Sequence, residues 1–281
     1  MRIIIVGAGI AGLATALSLD AAGFRDIEIY ERADEIRGLG VGINLLPHAM
    51  REITELGLAD QISKIGVEPS TLSYFNRHGQ PIWSEPRGTR AGYEWPQMSV
   101  HRGRLQLALR DAVLDRLGNV IRLGHRLLSI TGESTVTARF QTSGGERVVS
   151  GGLLIAADGI HSAARALRYP DEGNPQWGGL TLWRGTTYMR PFLDGKTMIM
   201  VGDGDQKFVA YPLTPAGEHG LQRVNFIAEK RGGGTAEVDW NRRIDPGPIA
   251  DSFAGWRFDW LDVPAAISNA EEILEYPMVD R

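Results

Sequence analysis

Residues 2–31 constrain the fold most. Arg2 to Val6 is a short apolar run that leads into Gly7-Ala8-Gly9-Ile10-Ala11-Gly12. A helical pattern then runs from Leu13 to Ala22 and stops at Gly23, and a second apolar run, Ile27-Glu28-Ile29-Tyr30, ends at Glu31. Strand, glycine-rich turn, helix and strand in this order make one βαβ unit, the half-module of a doubly wound parallel sheet. Gly7 permits the tight turn, Gly9 lets backbone approach a pyrophosphate, and Gly12 lets the helix pack closely on the sheet. The phosphates would then lie at the positive helix N-terminus. Glu31 stands at the tip of the second strand, where a carboxylate accepts hydrogen bonds from a ribose diol.

The remaining sequence divides by pattern. A glycine-rich loop, Gly38-Leu39-Gly40-Val41-Gly42, precedes a helix in which Pro47 occupies the first turn and Ala49, Ile53, Leu56 and Leu58 keep helical spacing. Thr71 to Phe75 and Pro81 to Ser84 flank Asn76-Arg77-His78-Gly79 as in a hairpin. A helix is predicted over Arg102 to Leu117, then strands near 120–123, 135–141 and 153–157. The five apolar residues Leu153 to Ala157 suit a strand buried on both faces. From about residue 172 the runs 180–190, 197–201, 207–212 and 223–228 predict a mainly antiparallel sheet. Gly202-Asp203-Gly204-Asp205 reads as a hairpin turn, 231–235 as a surface loop, and the aromatics of 253–261 as interdomain packing.

Composition sets outer bounds. With 281 residues, 43% hydrophobic and 23% charged, the chain is a globular protein long enough for two domains. A net charge of −4 gives no basic field for nucleic acid or an anionic membrane surface. Absence of cysteine excludes disulfides, thiolate ligands and cysteine nucleophiles, and the six histidines lack the spacing that places two on one metal. No apolar run reaches the ~18 residues of a membrane helix, and the first strand starts at residue 2, so a cytoplasmic location is expected.

Asp158-Gly159-Ile160-His161-Ser162-Ala163-Ala164-Arg165 supplies a second signal. An acid at the carboxyl end of a parallel strand sits where open α/β sheets bind ligands. Capping of the following helix is the alternative, and both can hold.

These residues resemble the single-component, FAD-dependent aromatic hydroxylases with the para-hydroxybenzoate hydroxylase fold. The resemblance is carried by GAGIAG with Glu31-Arg32, by His101-Arg102-Gly103-Arg104-Leu105, and by DGIHSAAR at 158–165, and it extends over essentially the whole chain. Gly38–Asn44, Trp83–Pro86, Trp183-Arg184-Gly185 and residues 193–199 are similar to a narrower branch, the phenazine-1-carboxylate-type and salicylate hydroxylase-like flavoproteins. The resemblance implies an α/β, Rossmann-like FAD-binding domain with a parallel sheet, over 1–70 and 99–171. It also implies an inserted, mainly antiparallel β-sheet substrate domain over 71–98 and 172–281.

It further implies cofactor roles. Gly7, Ala8, Gly9, Ile10, Ala11 and Gly12 line the FAD pyrophosphate, Glu31 binds the adenosine ribose, and Arg32 lies over the adenine. Val41 and Gly42 approach the flavin, Arg102 reaches the ribityl–phosphate region, backbone near Leu127 touches adenine, and Asp158 contacts the pyrophosphate side and helps reduction by nicotinamide. Arg104 is a solvated charge. In such enzymes NADH or NADPH reduces FAD, O₂ adds at the flavin C4a carbon, and the distal oxygen of that hydroperoxide goes to an aromatic ring. No metal or protein nucleophile is required, and the aromatic-rich second region suits the exclusion of water. Trp183 and Tyr211 are the substrate candidates, with sheet core as their other reading; His48 is either a carboxylate partner or a helix-surface residue.

One departure concerns the family's later Gly-Asp motif, which lies C-terminal to the segment matching Tyr276-Pro277-Met278-Val279-Asp280-Arg281. The sequence ends there, so poor FAD retention is expected. The activity expected is hydroxylation of a phenazine-, salicylate- or benzoate-like small molecule. Another FAD oxidoreductase of the same fold, or a cofactor-poor relative that binds an aromatic ligand, stands beside it.

Overall fold

Local chemistry places the first elements where the pattern predicts them. β-Branched Ile3, Ile4, Ile5 and Val6 favour an extended strand, and all four are buried. Leu13, Ala16 and Leu17 form the buried stripe of the helix that follows. The computed structural model describes residues 1–232 and 244–280; Gly233-Gly234-Thr235 of the predicted loop lie outside them.

The elements in chain order are β1 (Ile3–Val6), α1 (Ile10–Ala21), β2 (Ile27–Tyr30), β3 (Gly42–Leu45), α2 (Pro47–Glu55), α3 (Ala59–Ser63) and β4 (Gly66–Val67). Next come β5 (Thr71–Phe75), β6 (Pro81–Pro86), β7 (Met98–His101), α4 (Arg102–Leu117), β8 (Ile121–Arg122), β9 (Arg126–Thr131), β10 (Val136–Thr142), β11 (Gly145–Gly151) and β12 (Leu153–Ala156). The chain continues with α5 (Ala163–Arg168), β13 (Gln176–Met189), β14 (Thr197–Gly202), β15 (Gln206–Pro212) and β16 (Gln222–Arg231). It closes with α6 (Gly247–Ser252), β17 (Arg257–Phe258), β18 (Leu261–Asp262), α7 (Val263–Ser268) and β19 (Glu272–Asp280).

The chain forms two compact units, Met1–Leu39 with Gly103–Asn174, and Gly40–Arg102 with the chain from Pro175 on. In the first, a sheet of order β12-β1-β2-β8 is parallel throughout. An antiparallel sheet β11-β10-β9 shares a core with it: Ile4, Val6 and Tyr30 cluster with Leu127, Ala138 and Phe140. Tyr30 stacks on Phe140 at a centroid distance of 4.5 Å. One prediction needs correction here. Among the described residues Leu153–Ala156 pairs only with β1 rather than being buried on both faces, and Leu153 is 39% exposed; β1, inside the sheet, is the fully buried one. β9 and β11 escaped the pattern reading because their apolar runs stop at pairs, Leu127-Leu128 parted from Ile130 by Ser129, and Val148-Val149 set between Glu146-Arg147 and Ser150.

The second unit is built on a mixed sheet of order β19-β13-β16-β15-β14-β5-β6. All its ladders are antiparallel except β14–β5. Gly202–Asp205 is the β14–β15 turn, with Asp203 N donating to Gln206 O at 3.0 Å. One sheet face carries a core cluster in which Phe208, Phe226, Phe253, Trp256 and Leu261 pack together. The 253–261 aromatics are therefore core of this unit, not the interdomain packing expected. Residues 40–70 also belong to this unit, because β3 and β4 both pair with β7.

The turn before β14 is held by Asp194, whose carboxylate accepts from Ser70 Oγ (2.8 Å), Lys196 N (2.9 Å), Thr197 N (2.6 Å) and Thr197 Oγ1 (2.7 Å). Burial alone would raise its pKa, but the Thr197, Lys196 and Ser70 bonds together bring it below the ordinary 3.8. A depressed folded-state pKa contributes stability above the unfolded value and loses it as pH falls through the folded value. Asp194→Ala is expected to destabilise by about 1 kcal/mol at neutral pH, a figure reduced for solvent screening. Urea unfolding at pH 7 and pH 3 checks it: the gap between variant and parent should narrow at the lower pH.

Candidate cofactor and substrate site

The glycine-rich loop of the first unit is shaped by contacts that only hydrogen tolerates. Gly7 has φ +104°, and a Cβ there would lie 2.4 Å from Ala157 O. A Cβ on Gly12 would lie 1.9 Å from Gly7 O. Gly9, by contrast, would meet nothing within 4 Å. It is the N-cap of α1, where no side chain caps the first turn and no acid lies in it. Open space above uncapped amides at a helix start is what a phosphate requires.

Two side chains from distant sequence hold this loop. Glu31 accepts from Ala8 N through Oε2 (2.8 Å) and from Ala33 N through Oε1 (2.9 Å). A carboxylate has about four acceptor sites, so this half-buried group retains capacity for a diol. Gln106 of α4, which the sequence reading missed, donates from Nε2 to Ala8 O at 2.9 Å. The close approach of Gly7 to Ala157 brings Asp158 to the same edge. Its Oδ1 accepts from Ser162 Oγ at 2.5 Å and its Oδ2 from Ala164 N at 3.1 Å, while the N-cap of α5 is Ser162, whose Oγ accepts from Arg165 N at 2.9 Å; the acid braces this first turn without being its cap residue. Arg32 is exposed. The Leu127 side chain is buried in the core, leaving only its backbone for any ligand. Gly7 to Gly12, Glu31 and Asp158 are thus brought together, and the cradle fits the diphosphate and ribose of FAD.

Val41, Gly42 and Arg102 fall in the second unit, where they form their own constellation. Arg102 N donates to Val41 O at 2.8 Å, and Gly42 pairs with His101 across β3 and β7. Gly42 lies so close to the large sheet that a Cβ would come within 2.7 Å of both Asn225 Cβ and Tyr211 Cε2. Its N–H donates to Asn225 Oδ1 at 2.6 Å. That bond turns the Asn225 amide so that Nδ2 is left buried without a partner.

Register shows what shares this face. Tyr211 pairs with Asn225, and Arg184 pairs with Ile227, two residues on from Asn225, so all of them point to one side. Arg184 Nε is also buried without a partner. The Arg184 guanidinium lies 5.7 Å from the Tyr276 ring centroid. Burial pushes the Tyr211 phenol up, and the Arg184 charge opposes this. Unpaired buried donors cost free energy, so the two unpartnered donors on one face with the Tyr211 hydroxyl, beside the apolar cluster of Leu72, Met198 and Leu213, match an acceptor-bearing apolar ligand. Sequence reasoning missed Arg184 and Asn225 because each sits in a run that reads simply as strand.

Trp183 and Tyr211 do not come together. Trp183 packs in the core cluster of the opposite sheet face, with Nε1 donating to Glu275 Oε2 at 2.9 Å. His48 and Arg104 are exposed. Among the described residues no group of acids and histidines could hold a metal, and no helix is long and apolar enough to cross a membrane.

Comparison with known proteins shows the family. The pattern of the FAD binding domain family matches residues 1–237. The chain is 39% identical over 289 residues to the phenazine 1,6-dicarboxylic acid hydroxylase PhzS of Lysobacter antibioticus, covering 99% of this chain and 71% of that protein. It is 27% identical to the 3-amino-4-hydroxybenzoate 2-monooxygenase of Streptomyces cremeus, over 100% of this chain and 68% of that one. The crystal structure of Klebsiella pneumoniae HpxO complexed with FAD and uric acid superposes with a TM-score of 0.79 at 23% identity, covering 99% and 68% of the two chains.

Proposed function

The chain belongs to the FAD binding domain family and is a flavoprotein monooxygenase like its relatives, and from that premise we propose that its substrate is a planar aromatic acid. Bound FAD would supply hydride acceptance from NADH or NADPH and the activation of O₂ for oxygen transfer to a ring. The chain's own residues bind, orient and keep water out.

In this reading the first unit carries the nucleotide. Backbone from Gly7 to Gly12 receives the pyrophosphate, Glu31 takes the ribose diol, and Arg32 and the Leu127 backbone flank the adenine. Asp158 stands at the pyrophosphate side through the same turn that it braces. Val41, Gly42 and Arg102 serve the flavin and ribityl portions. Tyr211, Arg184 and Asn225 hold the substrate; Trp183 is left out because its side chain faces the opposite core.

The observation that carries the substrate class is the set of buried donors on one sheet face: Arg184 Nε and Asn225 Nδ2 without partners, with the Tyr211 hydroxyl beside them. Donors surrounded by apolar side chains favour a ring with anionic or carbonyl acceptors. Arg184→Gln tests this through NAD(P)H consumption stimulated by aromatic carboxylates. Its KM for a carboxylate should rise by about tenfold or more, with little change for the matching neutral amide, since a charge-assisted pair contributes about 1.5–3 kcal/mol. An equal effect on both compounds would remove the acid from the proposal.

A further inference from the structure

A second cavity in the same unit has no role in the reading above. It has a volume of about 250 Å³ and is lined by α2 (Pro47, His48, Arg51), the residue that follows β6 (Arg87), and the 93–97 segment (Tyr93, Trp95). The Arg51 guanidinium lies over the Trp95 ring, 5.9 Å from its centroid, which gives the wall an aromatic face with a cation on it. None of the lining side chains is acidic. Arg51 is paired with Glu52 and Glu55 and Arg87 with Glu85, yet both keep side-chain exposure.

We propose that this cavity is an outer binding site for a planar aromatic carboxylate. The ring would lie against Trp95 and Tyr93, and the carboxylate would meet Arg51 and Arg87. The size suits two or three fused rings and is too small for a whole dinucleotide. Gln97 joins the cavity to the sheet face: its Oε1 accepts from Arg87 Nε at 3.0 Å, and its Nε2 donates to Met198 Sδ at 3.2 Å. Met198 packs in the same apolar cluster as Tyr211. An acid held here therefore waits one side chain away from the patch that carries Tyr211. The binding itself does not depend on the flavin or on turnover.

Calorimetric titration of the full chain with 2-naphthoate tests the site, with 2-naphthamide as the neutral analogue. Arg51→Gln, on an exposed helix surface, and Trp95→Leu should each raise the Kd for 2-naphthoate by at least about fivefold. The amide should bind more weakly than the acid and respond to Trp95→Leu but not to Arg51→Gln. Arg184→Gln should leave this binding event in place. Affinity unchanged in both cavity variants, or lost only with Arg184→Gln, would overturn the proposal. So would NADH, and not 2-naphthoate, being the compound whose affinity falls in Arg51→Gln. Because the readout is binding without turnover, failure here leaves the monooxygenase reading untouched.

Discussion

Alanine at position 12 is expected to cost the fold about 3 kcal/mol or more, the range reached when a well-packed position is overfilled against an atom that cannot retreat. The opposing atom is the Gly7 carbonyl oxygen, 1.9 Å from where the new Cβ would stand. Gly7 is itself pinned, with φ +104° and Ala157 O behind it, so α1 must lift from β1 or the turn must open. Gly9→Ala supplies the contrast. With nothing within 4 Å of the added methyl, its stability should fall by no more than about 1 kcal/mol, the cost of alanine at an N-cap. Its flavin affinity should nevertheless drop, because the methyl occupies the room into which a phosphate would come. Urea unfolding and FAD titration on both variants check the pair. Equal stability loss in the two would mean that neither glycine has the task assigned to it.

Glu31→Ala is expected to weaken FAD binding by about ten- to a hundredfold, the equivalent of losing one charge-assisted pair. It also frees Ala8 N and Ala33 N, which the carboxylate now satisfies at 2.8 and 2.9 Å. Glu31→Gln should do little better. Both carboxylate oxygens accept from backbone N–H groups, so an amide must turn its NH₂ toward one of them, donor against donor. Flavin content per chain after purification, followed by titration of the apoprotein with FAD, reads both variants. Parent-like occupancy in Glu31→Ala would sink the ribose assignment.

Local signals carried further than distant ones. The β1–α1–β2 unit, α4 and strands β13 to β16 were legible because each is written in consecutive residues: alternation or apolar runs for strands, four-residue spacing for α4, glycine at the turns. The Glu31 position was legible for the same reason, being set by the length of one unit. β12 was misread because an apolar run does not say whether a neighbour exists on each side; that depends on sheet order. β19 was not predicted as a strand, since Glu272, Glu275 and Pro277 interrupt its apolar pattern and its partner β13 lies far back in the chain. The proposed substrate face suffered most. Whether Trp183 or Arg184 turns toward Tyr211 follows from the pairing of three strands, and a shift of one residue would exchange them. Strand patterns place both candidates in one sheet, and only the register shows which side chains share a face.

The bond between Gly42 N and Asn225 Oδ1 has one more consequence. A main-chain N–H cannot be rotated into an acceptor, so the carboxamide opposite it is not free to flip, whatever enters the site. The polarity of this corner is thus written in the backbone of β3. A group meeting this corner therefore faces a fixed donor, Asn225 Nδ2, which favours an atom with a lone pair over an ammonium group.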